Sequence, residues 1–214
     1  MRALIDSDIQ FNKIVCSDIN GDLIRLWQDI KDYPLQLADR YQELWTELNG
    51  QDDDKARKIS CYNAIRTRFN DERSPADFIF LLRTCANGMP RYNSHGQFNT
   101  SFHITRDGIQ PDTLRHILVE WGSLLNRYDV EFRNCSYHEI ITGVNDFLYL
   151  DPPYAVTKGV YYGSIELDDF FCWLKSQPGA YALSFDGKVK DGKDCTYSVP
   201  EELYSRHVYL RSGN

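Results

Sequence analysis

The stretch Asp151-Pro152-Pro153-Tyr154 is the part of this chain best suited to chemistry. It follows Asp146-Phe147-Leu148-Tyr149-Leu150, whose alternation predicts a buried strand. A proline has no N–H for a ladder, and it pushes the residue before it out of the helical region. The strand must therefore stop in a rigid polar loop at its carboxyl end, where ligands sit in open α/β sheets. There the Asp151 carboxylate can accept a hydrogen bond from an exocyclic amine, and a prolyl carbonyl can accept a second. The Tyr154 ring can stack on a planar base. Those are the needs of chemistry on the amino group of a flipped nucleobase. An ordinary strand-to-loop turn uses the same residue types, so the tetrapeptide alone leaves both readings open.

Other elements must hold that loop in place. Residues 13–18 read as a short parallel strand. Asn20 is placed to cap a helix whose apolar positions are Leu23, Ile24, Trp27 and Ile30, and Pro34 closes it. Helical periodicity continues over residues 35–48, 55–69 and 77–82, with the acid run 49–54 as a solvated loop. Pro111 sits near the start of a helix carrying Leu114, Ile117, Leu118, Trp121 and Leu125. Residues 130–132 read as a strand, 166–174 as a helix, and 181–184 and 207–210 as strands. Strands alternating with helices predict an α/β fold around a mostly parallel sheet.

A length of 214 residues suits one such domain with an insert, and composition, 42% hydrophobic and 26% charged, is that of a globular protein. No run reaches the ~18 apolar residues of a membrane span. Residues 1–8 lack the apolar core of a secretory signal. Cys16, Cys61, Cys85, Cys135, Cys172 and Cys195 lie far apart with no CxxC pair, so neither a metal site nor a disulfide framework is indicated. Reduced thiols and a cytoplasmic location are the expectation. The net charge of −7 argues against loose, non-specific nucleic-acid binding.

One segment runs against that charge. Arg83, Arg91, Arg106 and Arg115, with His95, His103 and His116, outnumber Asp107 and Asp112. Tyr92, Phe98 and Phe102 are interleaved and can stack or wedge at bases, while Arg and Asn can meet phosphates or base edges. Ser94-His95-Gly96 reads as a hairpin tip able to enter a groove. A solvated loop is the other reading.

Four stretches, in order, resemble the Dam-type (D12 class) DNA adenine N6-methyltransferases. They are residues 16–24 (Cys-Ser-Asp-Ile-Asn-Gly-Asp-Leu-Ile), residues 87–99 (Asn-Gly-Met-Pro-Arg-Tyr-Asn-Ser-His-Gly-Gln-Phe-Asn), residues 134–137 (Asn-Cys-Ser-Tyr) and Asp151 to Tyr154. The similarity runs over about residues 6–214. It implies a Rossmann-like methyltransferase sheet formed by residues 1–34 and 107–214, with residues 35–106 as a helical and hairpin target-recognition insert. It implies transfer of a methyl group from S-adenosylmethionine to N6 of a flipped adenine in double-stranded DNA, in a restriction-modification or phage setting. The implied catalytic residues are Asp151, Pro152, Pro153 and Tyr154. The implied cofactor contacts are Asp18, Ile19, Ser136, Tyr137 and Asp151. The implied DNA contacts are Asn87, Arg91, Tyr92, Asn93, His95, Asn99 and Arg106. Asp18 also has its own physical reading: an acid that ends a strand before a helix can bind ribose hydroxyls, or can simply complement the helix N-terminus. Ser136 and Tyr137 have a plain turn as their alternative.

Departures from the family pattern are informative. Family members carry a Phe-x-Gly-x-Gly loop upstream of the Asp18 strand, and here no glycine precedes Gly21. The expectation is a sheet incomplete at its first strand and a last hairpin cut short after residues 211–214. Thr84-Cys85-Ala86 stands where members carry a longer approach to Asn87-Gly88. A second polypeptide supplying the missing strand, or a catalytically inactive DNA- or protein-binding module, is the alternative to an active enzyme. Without the glycine loop the isolated chain is expected to bind S-adenosylmethionine weakly or not at all.

Overall fold

The computed structural model describes residues 11–50, 54–153, 165–185 and 198–209. The chain divides into two compact units, Met1–Tyr137 and His138–Asn214.

In the first unit, β1 (Ile14–Asp18) pairs in parallel with β2 (Val130–Asn134), in register from Ile14 opposite Val130 to Asp18 opposite Asn134. A parallel pair needs a crossover, and here it runs through five helices. They are α1 (Gly21–Asp32), α2 (Pro34–Asn49), α3 (Lys55–Glu72), α4 (Pro75–Thr84) and α5 (Pro111–Arg127). Local signals start them. Asn20 Oδ1 accepts from the Asp22 and Leu23 amides at 3.0 and 3.2 Å, capping α1. Pro34, Pro75 and Pro111 occupy the first turns of α2, α4 and α5. The acid run contributes more than solvation, because Asp54 caps α3 through the Ala56 and Arg57 amides.

α1 covers the β1–β2 pair, and α5 packs on α1. Trp27 stacks on Phe132 at 6.0 Å and meets the edge of Trp121 at 5.5 Å. Gly122 lets the two helices approach closely: a Cβ there would lie 2.8 Å from the Ile30 carbonyl oxygen. α2, α3 and α4 bring Tyr41, Leu44, Tyr62, Phe69, Phe78 and Phe80 into one core that is continuous with Ile14, Leu118 and Val130. The compact unit therefore ends at Tyr137, and the helices expected to form a separate insert share their core with β1 and β2. Within that core Asp77 is 1% exposed and receives a forked pair of bonds from Arg68, at 2.8 and 2.6 Å.

In the second unit, β3 (Phe147–Leu150) pairs in parallel with β4 (Ala180–Leu183), and α6 (Leu167–Lys175) buries Phe170, Phe171 and Leu174. Two expectations change here. β3 alternates as predicted but is not buried, since Phe147 and Tyr149 are 51% and 64% exposed. Among the described residues β4 is its one neighbouring strand. Residues 207–209 form no strand: their apolar alternation finds no ladder, and the rings of Tyr204, His207 and Tyr209 contact one another instead. Leu210 lies outside the described residues. Strand–helix–strand units with parallel pairing make the fold α/β. No described helix is long and apolar enough to cross a membrane.

Candidate active site and nucleic-acid interface

Asp18 is the last residue of β1 and is half-buried. Its Oδ1 accepts from the Asn20 amide at 2.7 Å, which turns the chain into α1. Asn134, opposite it at the end of β2, donates through Nδ2 to the Asp18 and Ile19 carbonyls, both at 3.0 Å. Gly21 permits this brace, because a Cβ there would sit 3.0 Å from the Asn134 Oδ1. The Ile19 side chain is 45% exposed. Ser136 and Tyr137 follow β2 after Cys135, so parallel pairing carries four of the five predicted cofactor contacts to the carboxyl end of one strand pair; the fifth, Asp151, belongs to the second unit. A half-buried carboxylate, an exposed apolar side chain and a hydroxyl-bearing loop fit the ribose and base of a nucleoside.

Charge on β2 is held by neighbours. Arg133 and Lys13 bond to Glu131 and keep its carboxyl down at about 2.

The predicted hairpin tip forms. The Asn93 amide donates to the Gln97 carbonyl at 2.9 Å, Tyr92 bridges Phe98 in antiparallel fashion, and Gly96 takes φ +70°. Asn93 Oδ1 accepts from the His95 and Gln97 amides, so this side chain builds the tip. The hairpin alternates. Arg91, His95 and Asn99 are exposed, whereas Phe98 is 1% and Thr100 6% exposed. The aromatic rings expected at bases turn inward: Phe98 meets the edge of Phe69 at 5.9 Å and Phe102 stacks on Tyr62 at 5.1 Å. The Tyr92 hydroxyl donates to Asp22 at 3.1 Å, and burial, with Asp22 beside it, pushes its phenol well above the usual range. The pleat decides this, since residues two apart share a face and one face has a core to meet.

At the base of the hairpin Asn87 is exposed in the left-handed region, φ 58°. Arg106 reaches the Cys85 carbonyl at 3.4 Å. Arg115 and His116 lie on α5, where Arg115 bonds to Asp39. The basic surface of the segment is accordingly smaller than its composition suggests.

In the second unit, β3 ends at Leu150, and Asp151 follows, exposed, with Pro152 buried behind it. Tyr154 lies outside the described residues. Ser184, just past β4, donates its amide to the Leu150 carbonyl at 2.9 Å and its hydroxyl to Asp151 Oδ1 at 2.8 Å. Sequence reasoning missed Ser184. The sequence reads Ser184 as the last residue of a strand, whereas β4 ends at Leu183 and leaves its hydroxyl free to turn toward Asp151.

The description D12 class N6 adenine-specific DNA methyltransferase belongs to a family model that matches residues 4–171. The type II methyltransferase M.MjaIII of Methanocaldococcus jannaschii is 29% identical over 157 residues, covering 68% of this chain and 51% of the relative. The DNA adenine methylase of Haemophilus influenzae is 30% identical over 152 residues, covering 68% of this chain and 49% of the relative. The DNA N-6-adenine-methyltransferase of Escherichia phage P1 is 27% identical over 152 residues, 67% of this chain and 18% of its own length. These matches span about half the length of the first two relatives. A family match over most of the chain, on strand ends and a hairpin that the sequence had already singled out, places it: the chain belongs to the D12 class of N6 adenine-specific DNA methyltransferases.

Proposed function

We propose that this chain transfers a methyl group from S-adenosylmethionine to N6 of an adenine flipped out of double-stranded DNA. The observation that carries the reading is an exposed Asp151, backed by Pro152 and Pro153, at the carboxyl end of a parallel strand, in a chain of this family. Asp18 holds ribose hydroxyls, Ile19 packs on the adenine of the donor, and Ser136 and Tyr137 line the same end of the β1–β2 pair. When bound, the donor supplies an activated sulfonium methyl. Asp151 accepts a hydrogen bond from the target amine and orients the nitrogen lone pair, with a prolyl carbonyl of Pro152 or Pro153 as second acceptor and Tyr154 stacked on the base. The proton released as nitrogen is alkylated passes to solvent. Ser184 fixes the plane of the Asp151 carboxylate. Residues 35–106 carry target recognition, through the outward face of the hairpin at Arg91, His95 and Asn99, with Asn87 and Arg106 at its base. Asn93 and Tyr92 serve by shaping that face. The sheet is of the Rossmann-like methyltransferase type, and the setting is cytoplasmic.

Incorporation of labelled methyl from S-adenosylmethionine into adenine of duplex DNA tests the reading. Label in N6-methyladenine is the expected result, and label only in cytosine, or in protein, overturns it. Exposure of Phe147 and Tyr149 favours a second reading for the isolated chain: a further polypeptide covers β3, and without it the chain binds DNA but transfers nothing. Binding without turnover in the same assay is its signature.

A further inference from the structure

The second strand of the hairpin pairs with the first through Tyr92 and Phe98, and its other edge meets no strand among the described residues. It lies along a helix instead. Tyr62 and Arg66 of α3 donate to the Thr100 carbonyl at 2.9 and 3.3 Å. Asn70 takes both backbone groups of Phe98, accepting from its amide at 2.8 Å and donating to its carbonyl at 3.0 Å. Arg73 donates through Nη2 to the Gly96 carbonyl at 2.8 Å. The spacing has a geometric cause. Four residues of helix rise about 6 Å, and two residues of strand rise about 6.6 Å. Side chains one turn apart on α3 therefore meet alternate backbone positions of the strand: Thr100, then Phe98, then Gly96.

Arg73 ends this row in an unusual state. It caps α3 in the left-handed region, φ 56°, where only glycine sits without cost. Its guanidinium lies over the Phe69 ring at 5.4 Å and donates through Nη1 to Asp22 at 3.0 Å. Asp22 is 6% exposed and also receives Arg25 at 2.5 Å and the Tyr92 hydroxyl at 3.1 Å. One buried carboxylate in the first turn of α1 is thus shared by Arg73 at the end of α3 and by Tyr92 of the hairpin, four residues after Asp18.

We propose that the Tyr62–Arg66–Asn70–Arg73 row and Asp22 are positioning residues that set the register and tilt of the recognition hairpin, with Arg73 as the joint between them. The row touches hairpin backbone, so it fixes where Arg91 and Asn99 point without contacting DNA. The inference rests on the proposed reading of the hairpin as the DNA-facing element.

Arg73→Gly is the informative variant, because it deletes the guanidinium while relieving the backbone at the helix end. The full chain is compared with wild type by amide hydrogen exchange and by duplex-binding isotherms at several salt concentrations. The expected result is faster exchange at the Asn93 and Asn99 amides, with the amides of α5 unchanged. Duplex affinity falls about tenfold at every salt concentration, as when bonds that order a binding loop are lost. The slope of log affinity against log salt stays that of wild type, whereas Arg91→Ala lowers it by about one. A slope lowered in Arg73→Gly would make Arg73 a phosphate contact and overturn the proposal, as would unchanged exchange in the hairpin. Asn70→Ala, which removes a different rung, must open the same two amides. If wild type binds no duplex at all, the proposed function fails, and the exchange data still decide whether the row holds the hairpin.

Discussion

Two strands of this molecule present an aspartate at their carboxyl ends, and the two carboxylates are held in different ways. Asp18 is oriented by the amide of Asn20, two residues on, within the turn that starts α1. Asp151 is oriented by the hydroxyl of Ser184, which is 33 residues away along the chain and arrives only because β4 lies beside β3. One acid belongs to a local turn and the other to a sheet. A local turn tolerates change in its surroundings, since the bond forms wherever the turn does. An acid oriented by a neighbouring strand depends on register, and a slip of one residue would turn the Ser184 side chain to the other face.

The sharpest way to break this comparison is Asp151→Ala. Methyl transfer should fall by at least about a hundredfold, the scale on which single electrostatic groups act in active sites. Circular dichroism should stay unchanged, because the residue follows the end of β3. Retained transfer would remove Asp151 from the chemistry. Asp18→Ala comes next in size. Calorimetry with S-adenosylmethionine should show affinity lowered by about tenfold to a hundredfold, the loss of bonds to a charged acceptor. An unaltered binding constant would mean that Asp18 serves only the helix N-terminus.

Ser184→Ala should then lower transfer by about tenfold, one hydrogen bond's share, with little change in substrate KM. Ser184→Thr, which keeps the hydroxyl, should recover most of the rate. Equal loss in both variants would point to packing at β4 rather than to orientation of Asp151. The smallest effect concerns the strand that braces Asp18. Glu131 has its folded value lowered from 4.5 to about 2 by Arg133 and Lys13. Its contribution to stability is therefore present above 4.5 and lost as pH falls toward 2. The melting temperatures of wild type and Glu131→Gln should differ slightly at neutral pH and converge at pH 2, the difference being small for so exposed a group. Curves that stay parallel through that window would sink the assignment.

The residues that could be read in advance are those whose partners are close in sequence. The Asn20 cap, the end of α1 before Pro34, Pro111 at the start of α5, and the Ser94-His95-Gly96 tip each need only a few neighbours, and each forms. Inward or outward was harder. Tyr92, Phe98 and Phe102 lie among arginines and asparagines, and composition gives no sign of which face meets a core. The positions two apart do so here because α3 is packed against that face. Residues 207–209 mislead for a related reason, as alternation specifies a strand only if another strand is present to pair with it. Ser184 and Asn70 were invisible because each acts on backbone or carboxylate far along the chain. The left-handed Arg73 was hidden too, since nothing in Asp71-Glu72-Arg73-Ser74 marks which residue ends the helix.

The pairing of Asp18 with Asn134 joins residues 116 positions apart. Contacts of such separation close late in folding, because the entropy of so large a loop must be overcome first. α2, α3 and α4 are sequence neighbours and need no such closure, and the hairpin docks on α3 across only 23 to 38 residues. The helices and the hairpin they carry are thus expected to form before β1 meets β2. Core truncation at Phe69 should slow refolding, whereas truncation at Val130 should mainly quicken unfolding. In a nascent chain the order matters further: β2 emerges more than a hundred residues after β1, and α1 and the helices that follow it emerge in between, so the apolar face of β1 has helices to pack on before its partner strand is made.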